Sequence, residues 1–429
     1  MSASKIKNVI FYFPYRSVGG VSVLFLEFSK LLTKNFAVSI VDFADGYMAK
    51  RIPEGVEFVD FEKVISYPAD SVVVLQSVPF YRIVDFDKFD EKTRFFCWNL
   101  HPANFEPMNL IFEEKKRSWI KKNALNLFLK LREFNKNKLA KTIKWLSKNN
   151  ALYFMDYENY RTTKSFYPWI DIQARYLPCF LSPRTELKIQ GSEKASYHLC
   201  WVGRIVDFKL HILLHILKRL GEEAKRIDAF EFTIIGSGDQ NVFLKDQIIL
   251  LKLPFMVNFI ENLPSEKLGG YLVKNCDVLF GMGLSALEGA SRCIPTFLVD
   301  FSYIEIIGNY RFKLVSEHEK FNLGSEINQS HLEDGSTFGD KLKYLFNNYN
   351  ETSAECYNYW KVNHSGKRSA EIFMSSIEEN TAFKKEIKKR RLHKADVFTF
   401  LYFASQKILH KKKSGGVHGF QYPSAYNSN

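Results

Sequence analysis

Residues 8–13 form a continuous apolar run, the pattern of a parallel strand covered on both faces. Helical spacing follows at 21–32, where Val21, Leu24, Phe25, Phe28, Leu31 and Leu32 fall on one side. Further strands are predicted at 36–43, 71–76, 94–100 and 151–155, with a helical stretch over 113–148. Pro178, Ser182 and Pro183 then punctuate the chain. The alternation resumes with strands at 197–202, 230–235, 257–260, 278–280 and 296–299, and helices at 210–220 and 287–292. Residues 339–380 read as helical. Strands alternating with helices imply βαβ units and mainly parallel sheets. The expected class is α/β, with two Rossmann-like domains facing across a cleft. The expected boundaries are 1–180 and 193–362, a linker at 181–192, a helix over 363–380 crossing back to the first domain, and a basic amphipathic tail over 381–429. From Ser414 the composition turns Gly/Ser/Tyr/Asn-rich, as in disordered segments.

A length of 429 residues agrees with two domains. The net charge of +13 is local rather than general, because 113–148 and 381–413 each carry +9 and the rest of the chain carries −5. Both blocks interleave lysine with aromatic and aliphatic residues, such as Trp119, Phe128 and Trp145 in the first and Phe398 and Phe400 in the second. That composition suits an anionic membrane surface, the second block more strongly; for 113–148 the alternative is a helix pair packed on the sheet with solvated lysines. No nucleic-acid reading motif accompanies them. No apolar run is long enough to span a bilayer, and the start reads as a first strand rather than a signal peptide. Six cysteines without a Cys-x-x-Cys pair predict buried thiols in a reducing compartment.

The chemistry concentrates after the strand at 197–202. In Cys200-Trp-Val-Gly-Arg-Ile-Val-Asp-Phe-Lys209 the strand runs into Gly203, then Arg204, then Lys209 at a helix start. Two cations and the unbonded amides of a helix start make an anion site; the bland reading pairs them with Asp207 or another carboxylate. Gly236 and Gly238 end the next strand, as a nucleotide-facing turn or as a plain strand-end turn. Ser285 and Glu288 open another helix, where Ser-x-x-Glu also fits a capping box.

Gly203-Arg-x-x-x-x-Lys209, Ile234-Ile-Gly-Ser-Gly238, Cys276-Asp-Val-Leu-Phe280 and Glu288-Gly-Ala together resemble the donor half of family 4 glycosyltransferases of GT-B fold. Gly19-Gly20 and His101 resemble the acceptor half, so that the likeness spans roughly 5–380. The resemblance implies Arg204 and Lys209 on the donor diphosphate and Glu288 on the ribose hydroxyls. It puts the Gly19-Gly20 loop and His101 by the transferred sugar or acceptor. Gly281, Met282, Gly283 and Ser285 form a shortened loop beside the donor. One departure is plain: the first of the family's paired glutamates falls on Phe280. The resemblance implies a nucleotide-sugar as co-substrate, no cofactor and no metal.

Asp85-Phe-Asp87 matches the Asp-x-Asp metal motif of another glycosyltransferase fold, but its polar context reads as a solvated turn. The expected function is transfer of a sugar from a nucleotide-diphosphate sugar to a glycan or lipid-linked acceptor in cell-surface polysaccharide synthesis, with retention and without metal. The expected place is the cytoplasmic side of an anionic membrane surface. Phe280 keeps open a rival, a non-catalytic scaffold of the same fold.

Overall fold

A computed structural model describes residues 6–16, 19–76, 79–105, 122–182, 187–188, 196–224, 230–332 and 338–395, with the backbone alone at 102, 103, 122–132 and 265. The chain divides into two compact units, one of Met1–Leu177 with Ala370–Asn429 and one of Pro178–Ser369.

In the first unit β1 (Asn8–Tyr12), β2 (Ala37–Asp42), β3 (Val56–Asp60), β4 (Ser71–Gln76), β5 (Arg94–Asn99) and β6 (Leu152–Phe154) form one sheet of order β3-β2-β1-β4-β5-β6. Every pairing is parallel. All residues of β4 and β5 are buried, and their interiors, Val72–Leu75 and Phe95–Trp98, are accordingly apolar, with polar residues only at the strand ends. On one face α1 (Gly20–Leu32) sets Phe25 and Phe28 against Phe11, at 5.0 and 5.8 Å between ring centres, and Phe28 against Trp98 at 5.6 Å. On the other, Leu139, Ile143 and Leu146 of α2 (Lys122–Lys148) join Phe80, Phe86 and Phe95 in one core. A third helix, α3 (Tyr157–Phe166), is capped by Asp156, whose carboxylate accepts the Asn159 N–H at 2.8 Å.

Two sequence expectations change here. Asp85 is not solvated: Tyr12 donates its hydroxyl to it at 2.5 Å, Tyr67 donates to its other oxygen, and Asp85 is 6% exposed. Both tyrosines occupy the carboxylate, leaving Asp87 as the exposed member of that pair. The start of the basic tail is likewise not a free amphipathic segment. Ala382, Ile387 and Leu392 lie in the first unit's core, Phe95 donates its N–H to Ala382 O at 3.0 Å, and Lys384 is buried and donates to Asp87 O at 3.0 Å. The short helix there, α11 (Lys384–Lys389), therefore turns its apolar side inward and leaves Lys385, Lys388 and Lys389 exposed. Residues 396–429, and the expected disorder from 414, lie outside the described residues, as does 113–121 of the other basic block.

The second unit holds β7 (Tyr197–Val202), β8 (Phe230–Ile235), β9 (Val257–Ile260), β10 (Val278–Gly281), β11 (Thr296–Leu298) and β12 (Lys313–Leu314), in the order β12-β11-β10-β7-β8-β9. Only β12 runs antiparallel. Helices α4 (Asp207–Glu223), α5 (Asn241–Leu251), α6 (Ser265–Asn275) and α7 (Leu284–Ala290) connect the strands. They are followed by α8 (Phe338–Asn347) and α9 (Tyr349–Asn363), and α10 (Gly366–Glu379) carries the chain back into the first unit from Ala370 onward. Asp277, just ahead of β10, is structural: Lys188 pairs with it at 2.7 Å and the His198 N–H donates to it at 2.9 Å, all inside the unit. Five of the six cysteines are buried and none forms a disulfide. Among the described residues no helix is long and apolar enough to cross a membrane.

Candidate functional site

In an open parallel sheet, loops at the carboxyl ends diverge where the strand order reverses, and ligands collect there. In the second unit that reversal lies between β7 and β10, paired as Trp201↔Phe280 and Val202↔Gly281. The loop after β7 carries Gly203 and Arg204 and leads into α4 with Lys209. Strand β10 ends at Gly281, and Met282 and Gly283 lead from it into α7 with Ser285 and Glu288. Two stretches 80 residues apart in sequence thus leave the sheet side by side.

Lys209 and Arg204 come together here. A Cβ built on Gly203 would stand 3.5 Å from the Lys209 ammonium nitrogen, and Arg204 is close enough to act on Lys209 electrostatically. Burial, and secondarily the Arg204 charge, depress the Lys209 pKa to about 8. Among the described residues no carboxylate pairs with either cation; Asp207 instead accepts the Phe208 N–H at 2.7 Å. The first turn of α4 also lacks a side-chain cap. Two cations without a carboxylate partner among the described residues, one of them, Lys209, partly withdrawn from water, favour an anion.

Gly236 and Gly238 sit beside the same loop for a packing reason. A Cβ on Gly236, whose φ is +137°, would lie 2.1 Å from Gly203 O, and one on Gly238 would lie 1.9 Å from Ile205 O. The two loops then exchange backbone bonds, Ile205 N–H to Ser237 O at 3.1 Å and Gln240 N–H to Ile205 O at 3.2 Å. Both glycines shape the cation loop from behind.

Glu288 is not in a capping box. The residue preceding α7 is Gly283, at φ +64°, and no side chain caps the helix, so Ser285 lies within its first turn. Glu288 pairs instead with Arg292, four residues on, whose guanidinium also donates to Glu288 O at 3.0 Å. Gly269 makes room, because a Cβ there would lie 2.3 Å from the Arg292 guanidinium. The pair fixes the orientation of the carboxylate. In the loop itself the Gly283 N–H is spent on Leu323 O at 2.9 Å, and a Cβ on Gly281 would strike the Ala286 amide nitrogen at 2.9 Å.

Phe280 is fully buried. Its ring stacks on Phe297 at 5.1 Å and meets Phe232, Phe312 and Phe338. The position expected to hold a carboxylate is part of an aromatic core.

In the first unit, the Gly19-Gly20 turn opens α1 after β1, and His101 follows β5, both at the carboxyl ends with β4 between those strands. A Cβ at Gly20 would meet nothing within 4 Å and one at Gly19 only Tyr15, in contrast to the crowded glycines above. His101 is exposed, and its backbone N–H donates to the Asn99 side chain at 3.4 Å.

Two residues escaped the sequence reading. Arg292 was legible as the i+4 partner of Glu288. Trp201, in the key stretch itself, is fully buried, yet its indole N–H has no hydrogen-bond partner among the described residues and lies 3.3 Å from where a Gly203 Cβ would be, beside Lys209. Among the described residues no group of three or more His, Cys, Asp or Glu side chains is arranged to hold a metal ion.

No protein-family model matches the chain, and no curated protein sequence does. Solved structures do. A glycosyltransferase from Rickettsia africae is 11% identical, with a TM-score of 0.54 over 88% of this chain and 99% of its own. The lipopolysaccharide outer core galactosyltransferase WaaB, in its apo form, is 10% identical, with a TM-score of 0.50 over 87% and 99%. The trehalose-6-phosphate phosphatase N-terminal domain of Candida albicans is 9% identical, with a TM-score of 0.52 over 88% and 98%. The class so defined is the two-domain Rossmann-like fold of GT-B type. At these identities the likeness is one of fold, and activity must be argued from the site.

Proposed function

We propose that this chain is a nucleotide-sugar-dependent glycosyltransferase. The carrying observation is Arg204 and Lys209 at the reversal of the second sheet, close together and without a carboxylate partner among the described residues. In this reading they hold the donor diphosphate and stabilise the charge that grows on it as the glycosidic bond breaks. Glu288, oriented by Arg292, accepts hydrogen bonds from the ribose hydroxyls. The Gly19-Gly20 turn and His101 serve the transferred sugar or the acceptor. Two of the fold relatives are glycosyltransferases, one of them an outer-core galactosyltransferase, which supports a glycan or lipid-linked acceptor. The two fixed cations supply the charge that a divalent ion would otherwise bring, so metal-independent transfer is part of the proposal. Retention of configuration follows the resemblance alone.

The proposal also places the protein on the inner, anionic face of a membrane. With the apolar side of α11 buried, attraction would come from exposed Lys385, Lys388, Lys389, Arg390 and Arg391 rather than from insertion of that helix. Binding to vesicles containing anionic lipid should then fall with added salt; salt-resistant binding would contradict a purely electrostatic contact.

A non-catalytic scaffold is the second reading, favoured by Phe280 where the resemblance expects a carboxylate. The deciding experiment incubates the full chain with UDP- and GDP-sugars and lipid-linked glycan acceptors and follows nucleotide release and product. Turnover lost in Arg204→Ala supports the transferase. Binding of nucleotide without turnover across the panel selects the scaffold.

A further inference from the structure

The second unit carries a surface groove built from elements that hold none of the residues assigned above. Leu314 of β12 and the single helical turn Val315–Glu317 form one wall, and α8 with α9 forms the other. Its volume is about 900 Å3, in the range of ligand pockets and larger than one hexose fills.

The walls are fixed independently of any ligand. Glu317 accepts the Leu314 N–H at 2.7 Å with one carboxylate oxygen and pairs with Lys341 of α8 through the other. Helix α8 buries Leu342 and Leu345, and α9 buries Cys356 and Trp360. The side chains that both helices turn to the groove are therefore free to be chosen for something besides the core. They include Tyr344, 52% exposed, and Val362, 55% exposed, with Tyr359, Glu355, Asn358 and Asn363 around them. Large apolar groups left in water beside a concavity mark a contact surface.

Charge narrows the ligand. Glu317, Asp340 and Glu355 face one lysine, Lys341, which is already paired, and the lining contains no arginine. A phosphate or nucleotide would meet net repulsion. A sugar chain offers the complement: a ring C–H face for the exposed Tyr344, and hydroxyls that donate to carboxylates and exchange bonds with amides.

We infer that this groove binds a neutral oligosaccharide, holding a glycan chain away from the donor loops. The inference goes beyond sugar transfer and survives without it, since no groove residue belongs to the diphosphate site.

The test uses the full chain, titrated by saturation-transfer NMR and calorimetry with neutral hexasaccharides of glucose, galactose and N-acetylglucosamine in α and β linkage. Hexalysine and inorganic pyrophosphate serve as comparison probes. At least one neutral hexasaccharide should bind, and Tyr344→Ala and Asn358→Ala, both at exposed positions, should each weaken it by about tenfold or more while the melting temperature stays unchanged. Pyrophosphate binding should be the same in both variants, which separates the groove from the donor site. Failure of every neutral hexasaccharide to bind overturns the inference, as does binding indifferent to both substitutions. Preferential binding of hexalysine would assign the carboxylates to a cationic peptide and overturn it too.

Discussion

The depressed pKa of Lys209 turns the proposed diphosphate site into something that can be titrated. Burial lowers this pKa from 10.5 to about 8, and a drop of that size corresponds to about 3 kcal/mol against the charged form. The sign is that of a cation whose folded-state pKa lies below its unfolded value: keeping the charge costs stability at neutral pH, and the cost disappears as pH rises from about 8 towards 10.5. A bound diphosphate reverses the balance by favouring the ammonium. If affinity requires the charged lysine, about 90% of the protein is competent at pH 7 and about 10% at pH 9, so the apparent Kd for UDP or GDP should rise about tenfold across that window. A phosphate's own second ionisation, near pH 6, is about 90% complete at pH 7, and what remains would strengthen binding as pH rises rather than weaken it. Lys209→Arg should flatten the profile because its guanidinium stays charged. Lys209→Met should weaken binding by about ten- to a hundredfold at pH 7, the scale of a charged hydrogen bond, and show no inflection near 8. Calorimetry at half-unit steps from pH 7 to 9 reads all three proteins. A flat wild-type profile, or an inflection near 8 that persists in Lys209→Met, would refute the assignment.

The other predictions concern backbone room and buried charge. Gly236→Ala must push Gly203 O aside and should lower stability by about 1–3 kcal/mol in thermal or urea unfolding, whereas Gly20→Ala, with nothing within 4 Å of its new methyl, should leave stability unchanged; equal effects would mean the loop packing is misread. Phe280→Glu should fail to yield folded protein by circular dichroism, because it buries a carboxylate among four phenylalanines, and a folded variant with transfer activity would show that the aromatic core tolerates the missing carboxylate. Asp156 is held at a pKa of about 6 by burial, against 3.8 unperturbed. Its folded pKa is raised, so it withdraws stability as pH climbs from about 4 to 6, up to about 3 kcal/mol by pH 7. Asp156→Asn keeps a capping side chain and should outmelt the wild type at pH 7 but not at pH 4.

Much of the scaffold was legible because local pattern and tertiary role coincide in its central strands. The interiors of β1, β4 and β5 are apolar because both faces are covered, and helices α1 and α4 show their buried sides at the expected spacing. Edge and atypical elements hid. Val56–Asp60 is β3, half-exposed and mixed in character, so it reads as loop. Helix α5 leaves Val242, Ile249 and Leu250 at 70–74% exposure, which blurs its period. Within the site, Gly203, Arg204 and Lys209 could be read together because they lie in one short segment. Asp85 could not, since its partners Tyr12 and Tyr67 are 73 and 18 residues away. The lysine-rich run after Thr381 misled for a related reason: composition reports its charge, while the destination of Ile387 and Leu392 is decided by residues nearly 300 positions earlier.

That return of the chain has a consequence for how the protein is made. The first unit begins the sequence but is finished by its end: Ala382, Ile387 and Leu392 complete its core, and the Asn380 side chain donates to Phe95 O at 2.9 Å. The second unit is one continuous segment. Emerging from the ribosome in order, the domain synthesised second is the first with all its parts, while the N-terminal domain waits through its neighbour's synthesis with strand β5 short of its last partners. A stop that removes Asn380 to Leu392 therefore damages the unit whose strands were made first.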